Sequence, residues 1–262
     1  MRIVVCIKQV PDTTEVRLDP VTNTLIRDGV PSIINPDDKA GIEVALRIKE
    51  KTNGHVTVVC MGPPQADTAL REALAMGCNE AVLVTDRAFG GADTWATSCT
   101  LAASLKKIAF DIVITGRQAI DGDTAQVGPQ LAEHLGLPQV SYVEDIEVEG
   151  DLLVVKRAFE DRCHIIEVKA PCLLTMLSQY TVPRYMTMAG IMKAYQTTVI
   201  NWTLKDLEGI IDISNIGLKG SPTKVIRSFT KSAKPKGNIH DDLSSDEAAS
   251  LIVEKLRENH FA

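Results

Sequence analysis

The sequence predicts an α/β protein: an open, mostly parallel sheet with helices on both faces, Rossmann-like in kind, with appended antiparallel strands and an extended C-terminal arm. Three observations carry this. Four apolar runs rich in β-branched residues, Ile3 to Ile7, Val56 to Met61, Ala81 to Thr85 and Asp111 to Thr115, have the composition of strands buried on both faces. Helical patterns separate them, and that alternation makes βαβ units. Aromatic residues are only 4% of the chain, so an aliphatic core is expected and a β-sandwich disfavoured.

The elements follow in order. Behind the first run, Glu15 to Arg27 reads as a hairpin insertion, Val16-Arg17-Leu18 and Thr24-Leu25-Ile26 alternating about Asp19-Pro20 and Thr22-Asn23. Asn35-Pro36-Asp37-Asp38 then supplies a helix cap, a first-turn proline and first-turn carboxylates, with Ile42, Ala45, Leu46 and Lys49 at helical spacing. Pro63 to Gly77 repeats the pattern, with Ala66, Ala69, Leu70, Ala73 and Leu74 on one face and Gly77 as the stop. Asp93 to Ile108 and Thr124 to Leu135 are the next two helices, and Asp121 or Asp123 is expected to cap the second. After Pro138 the pattern becomes a meander of strands: Val140 to Val148, Leu152 to Arg157, Ile165 to Val168 and Cys172 to Met176. From about Asn201 core periodicity fades, and Ser228 to Asp242, with Lys231, Lys234 and Lys236, reads as an exposed arm. Ser244-Ser245-Asp246-Glu247 caps a last helix whose Ala248, Leu251, Ile252 and Leu256 form an apolar stripe. The expected division is therefore residues 1–200, an α/β domain, and residues 201–262, an arm whose helix docks on a partner subunit or back on its own domain.

Composition excludes several classes. At 262 residues the chain holds one or two domains, which excludes a peptide hormone or a pure linker. A net charge of −6 argues against nucleic acid, and no apolar run approaches the ~20 residues that insert in a membrane. The strand-like start, Met1 to Lys8, is followed by no small-residue cleavage site, so a mature chain beginning at Met1 is expected. Six cysteines without a C-x-x-C pair read as structural thiols of a reducing compartment, and a cytoplasmic location is expected.

Open α/β sheets bind ligands beyond the carboxyl ends of their strands. The loops there carry Lys8, then Gly62, then Gly90-Gly91-Ala92-Asp93-Thr94, and finally the segment Gly116 to Gly128. The last two are glycine-bearing loops that open helices, where unpaired N–H groups and the helix dipole suit phosphate. In the last, the Thr124 hydroxyl, the Gln126 amide and the small residues Gly122, Ala125 and Gly128 would let a pyrophosphate approach the backbone. A capped helix after a tight turn accounts for its glycines and aspartates but not for the whole loop. For Asp93 and Thr94 a plain helix cap competes with a ligand contact. None of the five histidines forms a set of nucleophile, base and orienter, and no metal-ligand spacing is present, so any chemistry belongs to a cofactor.

Val5-Cys6-Ile7-Lys8-Gln9-Val10, Gly29-Val30 through Asn35-Pro36, Ala73-Leu74-Ala75-Met76-Gly77, Gly116-Arg117-Gln118-Ala119-Ile120-Asp121-Gly122-Asp123, and Pro183-Arg184-Tyr185 with Ile191-Met192-Lys193-Ala194 together resemble the β subunit of an electron-transfer flavoprotein, over nearly the whole chain. The resemblance implies an obligate heterodimer with an α subunit that carries FAD, and an adenine nucleotide in the β sheet. That nucleotide is AMP in most members and a second FAD, reduced by NADH, in an electron-bifurcating branch from anaerobes. Gly122 through Pro129 and Gly91 through Ser98, with Thr97, look like the bifurcating branch. Nucleotide contacts carried over are Cys6, Asn35 through Asp38 (Asp37 included), Met61 and the loop from Asp121 to Gln130, which includes Val127. Electrons would pass to ferredoxin or flavodoxin and, through the α subunit, to an acyl-CoA dehydrogenase. Arg184, Tyr185, Met188 and Ile191 align with the family's partner-recognition loop, with Met188 where a leucine is common. The other functions weighed are a plain electron shuttle with structural AMP and a stand-alone adenine-nucleotide sensor.

Overall fold

The structure, a computed structural model, describes residues 1–12, 31–226 and 236–261. The expected hairpin at Glu15 to Arg27 and the arm lysines Lys231 and Lys234 lie outside the described residues. Strand β1 (Arg2–Ile7) is followed by a small antiparallel pair, β2 (Gln9–Pro11) with β3 (Ser32–Ile34). Then come α1 (Pro36–Thr52), β4 (His55–Met61), α2 (Asp67–Met76), β5 (Glu80–Val84), α3 (Thr94–Leu105) and β6 (Ile112–Gly116). The second half holds α4 (Val127–Leu135), β7 (Gln139–Glu149), β8 (Leu152–Ala158), β9 (Cys163–Lys169), β10 (Cys172–Met176), α5 (Met188–Gln196), β11 (Ile200–Trp202) and α6 (Ser245–Glu258).

One nine-stranded sheet runs in the order β11-β5-β4-β1-β6-β10-β7-β8-β9. It is parallel from β11 to β7, and β8 and β9 join antiparallel. The segment Cys172 to Met176, expected as the last strand of the meander, instead enters the parallel core between β6 and β7. All five of its side chains are buried, as a strand covered on both faces requires. Helices α1 and α2 cover one face through Ile42, Leu46, Leu70 and Leu74, and α3 and α4 cover the other through Leu101, Leu105 and Leu131. Each such side chain contributes roughly 1.5–3 kcal/mol by leaving water.

Three further expectations are corrected. Helix α4 starts at Val127 rather than Thr124, because Asp123 (φ +56°) and Ala125 (φ +53°) hold left-handed conformations that no α-helix accepts. Neither Asp121 nor Asp123 caps it, and Asn35 precedes α1 without a side-chain cap bond. The compact unit also extends beyond residue 200, to Lys224, since β11 pairs with β5 and both Leu207 and Ile216 are buried. Val225–Ala262 forms a second unit, whose helix α6 begins with the expected capping box between Ser244 and Glu247.

Candidate functional site

Strand β1 lies between β4, reached through α1, and β6, reached by crossing back through α3, so the strand order reverses at β1. A crevice opens beyond the carboxyl ends at such a point. Its node is the first turn of α1. The Asp38 carboxylate accepts from the Lys8 N–H (2.7 Å) and from the Gly116 N–H (2.9 Å), joining the ends of β1 and β6. Asp37 accepts from the Ser178 N–H beyond β10 and lies 3.5 Å from Arg117 Nε, a buried atom that makes no hydrogen bond among the described residues. Asn35, expected as a cap, bridges instead: its amide donates to the Gln118 carbonyl (2.8 Å) and its oxygen accepts from the Ile120 N–H (3.1 Å). Lys8 Nζ closes the crevice with a 2.6 Å ion pair to Asp121, and Gln118 donates to Asp123. Eight residues singled out from the sequence are thus one bonded network.

Burial dominates the electrostatics of this node. It pushes the Asp38 carboxyl up to about 7 against the N–H groups of Lys8 and Gly116, which oppose the shift. Burial also raises the Cys6 thiol, whose side chain lies in the core at the end of β1. Gly116 is required by close approach: a Cβ there would stand 2.3 Å from Asp38 Oδ1. Gly128, expected beside a ligand, lets α4 touch the sheet, since a Cβ would stand 2.7 Å from Thr115 Oγ1 and Thr175 Cγ2.

Between these fixed points the loop is open. The N–H groups of Thr124, Ala125, Gln126 and Val127 find no acceptor among the described residues, the last two as at any helix N-terminus and the first two in the loop before it, and Thr124 and Gly122 face solvent. A Cβ at Gly122 would meet nothing within 4 Å. The Thr94 hydroxyl donates to the Gln126 side-chain oxygen (2.8 Å), drawing the N-terminus of α3 to that of α4. That bond begins a ladder: Ser98 reaches Gln130 (3.4 Å) and His134 (3.1 Å). Ser98 and Gln130 stand at the ends of the two segments singled out by resemblance, whereas His134 was not a site candidate, although Gln126, Gln130 and His134 recur every four residues and so share a helix face. Other expected site residues stand apart from the node. Met61 packs against the α3–α4 core, the Gly62 N–H donates to Val84, and Thr97 is an ordinary first-turn residue of α3. Gly90, Gly91 and Asp93 face residues 216–223, and the Asp93 carboxylate caps α3 through the Ala96 N–H (3.0 Å).

The expected partner loop divides in two. Arg184 turns inward: its guanidinium grips Glu43 (2.9 Å) and Glu50 on α1 and its N–H reaches Glu43, so it anchors the loop. Tyr185 and Met188 are 96% and 76% exposed, whereas Ile191 packs against the α1–α2 core.

The parallel order reversing at β1, with two helix N-termini at the rim, defines a doubly wound α/β protein with an anion-suited crevice. An electron transfer flavoprotein domain matches residues 22–207, and the chain belongs to that family. It is 59% identical, across all of both chains, to the electron transfer flavoprotein subunit beta of Clostridium acetobutylicum. It is 53% identical, again across all of both chains, to the caffeyl-CoA reductase-Etf complex subunit CarD of Acetobacterium woodii. With the acryloyl-CoA reductase electron transfer subunit gamma of Anaerotignum propionicum it shares 47% over 99% of each chain. No helix among the described residues is long and apolar enough to cross a membrane.

Proposed function

We propose that this chain is the β subunit of a cytoplasmic electron-bifurcating flavoprotein: with an α subunit it takes hydride from NADH on a FAD held in the crevice, and delivers electrons to ferredoxin or flavodoxin and, through the FAD of the α subunit, to an acyl-CoA dehydrogenase. The observation that carries this is the pairing of two helix N-termini by Thr94 and Gln126 beside the N–H groups of residues 124–127, which have no acceptor among the described residues. The residues fit a dinucleotide. Two positive helix ends and free amides suit a diphosphate, and Gly122 leaves the backbone open to close approach. Bound there, FAD would supply one- and two-electron redox chemistry that no side chain of the crevice has.

The chain's own part is binding and orientation. The amides of residues 124–127 bind the diphosphate, Asn35 and Asp38 hold the loops after β1 and β6 at fixed separation, and the Lys8–Asp121 pair closes the crevice at the β1 side. Exposed Tyr185 and Met188 offer an adaptable apolar surface for the dehydrogenase. The two relatives named as subunits of acyl-CoA reductase complexes support that partner class.

The nucleotide content of the purified heterodimer tests the reading. Denaturation should release two FAD and no AMP, with the flavin spectrum bleached by NADH under anaerobic conditions. One FAD plus one AMP would leave only an electron shuttle.

A further inference from the structure

The root of the C-terminal segment is fastened to the crevice. The loop after β5 and residues 216–223 meet backbone to backbone: the Leu218 N–H donates to the Gly90 carbonyl (3.0 Å), and a Cβ at Gly217 would stand 2.1 Å from the Ala88 oxygen. A Cβ at Gly91 would stand 3.1 Å from Leu218. Gly91 (φ +71°) and Gly217 (φ +56°) both hold left-handed conformations, so two glycines are needed to make this contact. Asp93 then closes a latch from both ends of the residue. Its N–H donates to Ser221 Oγ (2.8 Å), and its second carboxylate oxygen accepts from the Thr223 N–H (2.9 Å). Burial pushes this carboxyl up, yet the N–H groups of Ala96 and Thr223 outweigh it and hold it below its ordinary value, so it is ionised at neutral pH. The compact unit ends at Lys224, one residue beyond the latch. On the other side, Asp93 is the cap of α3, and its neighbour Thr94 holds Gln126 at the start of α4.

We infer that Asp93 is a positioning residue that couples the root of the C-terminal arm to the crevice: what holds the chain beyond Lys224 sets, through Asp93, Thr94 and Gln126, the placement of the amides of residues 124–127. Cofactor binding and docking of the arm on a partner subunit are then linked, and linkage of this kind is reciprocal. The inference rests on the FAD reading for its ligand, but the coupling itself lies in the chain.

The test uses the full chain in its heterodimer. Ser221→Ala with Thr223→Pro removes both latch bonds and leaves the α3 cap intact; Ser221→Ala alone is the milder variant should the pair fold poorly. In the nucleotide-loaded heterodimer, hydrogen exchange at residues 124–127, which share no hydrogen bond with either substituted residue and whose N–H groups only a bound phosphate would protect, should quicken severalfold, and FAD should bind about fivefold more weakly, the scale of one or two lost hydrogen bonds. Adding Gln126→Ala should then change little, because the same relay is already cut. Exchange that rises only at residues 88–94 and 216–223, or effects of latch and Gln126 that simply add, would overturn the coupling. A wild-type heterodimer that carries AMP would sink the FAD reading alone, and AMP retention by the latch variants, with exchange at residues 124–127 in the AMP-loaded protein, would still decide the coupling.

Discussion

The Asp38 carboxyl sits dry between the ends of β1 and β6, and its proton is held more tightly in the folded chain than in the unfolded one. With a folded value of about 7 against an ordinary 3.8, its contribution to stability is complete below the lower value and is lost as pH rises through the upper. Stability measured by urea denaturation should therefore fall as pH rises from about 4 to about 7, by at most on the order of 4 kcal/mol from this residue. Asp38→Asn, close in shape and never charged, should flatten that fall; an unchanged pH profile would show that the carboxyl titrates elsewhere. The glycines of the same loops separate packing from binding. Gly116→Ala pushes a methyl group into Asp38 and should cost about 1–3 kcal/mol of stability. Gly122→Leu meets no protein atom within 4 Å of its Cβ, so melting should stay unchanged while nucleotide retention drops, and Thr124→Val should behave alike. Loss of nucleotide from a substitution on a distant surface would count against this crevice.

At the scale of elements, α4 shows why a glycine-rich sequence can mislead. The sequence places its start at Thr124, but the left-handed residues at 123 and 125 delay the helix to Val127, and the delay leaves the amides of residues 124–126 outside any helix. The partner loop shows a division of labour that composition hides. Arg184 is one of the loop's charged residues, and its geometry assigns it to Glu43 and Glu50 on α1, so it presents Tyr185 and Met188 rather than meeting a partner itself. Arg184→Ala should thus slow electron delivery to the acyl-CoA dehydrogenase by about tenfold, the scale of a lost charge-assisted contact, with FAD content unaltered. A loss of FAD instead would mean that the loop supports the crevice. Restoring the charge as Arg184→Lys should rescue only part of the rate, since an ammonium cannot bridge two carboxylates as a planar fork does.

For the whole molecule, α6 has a capping box and an apolar stripe, and none of its residues is buried among the described residues. A lone helix of this length is marginal in water, so a partner surface is the expected source of its stability. Deleting residues 244–262 should weaken association with the α subunit, seen as dissociation at higher protein concentration in sedimentation, and unchanged association would refute the docking of the arm.

The sequence alone determined the α/β class, because buried parallel strands and amphipathic helices write their periods directly into residue order: Val4, Val58, Ala81 and Ile114 declare buried strands and Leu70 with Leu74 a helix face. It also determined the family, through loops long and specific enough to match in order. Only the tertiary structure decided that β10 enters the middle of the sheet, that Asn35 bridges loops far apart in the chain instead of capping a helix, that Asp38 joins the ends of β1 and β6, that Arg184 faces inward, and that Asp93 ties residues 216–223 to the rim. Those outcomes depend on which partner a polar group meets 30 to 141 residues away along the chain. Local propensity carries no record of that meeting, since the side chain that caps a helix in one setting bridges strands in another when folding brings a better donor within about 3 Å.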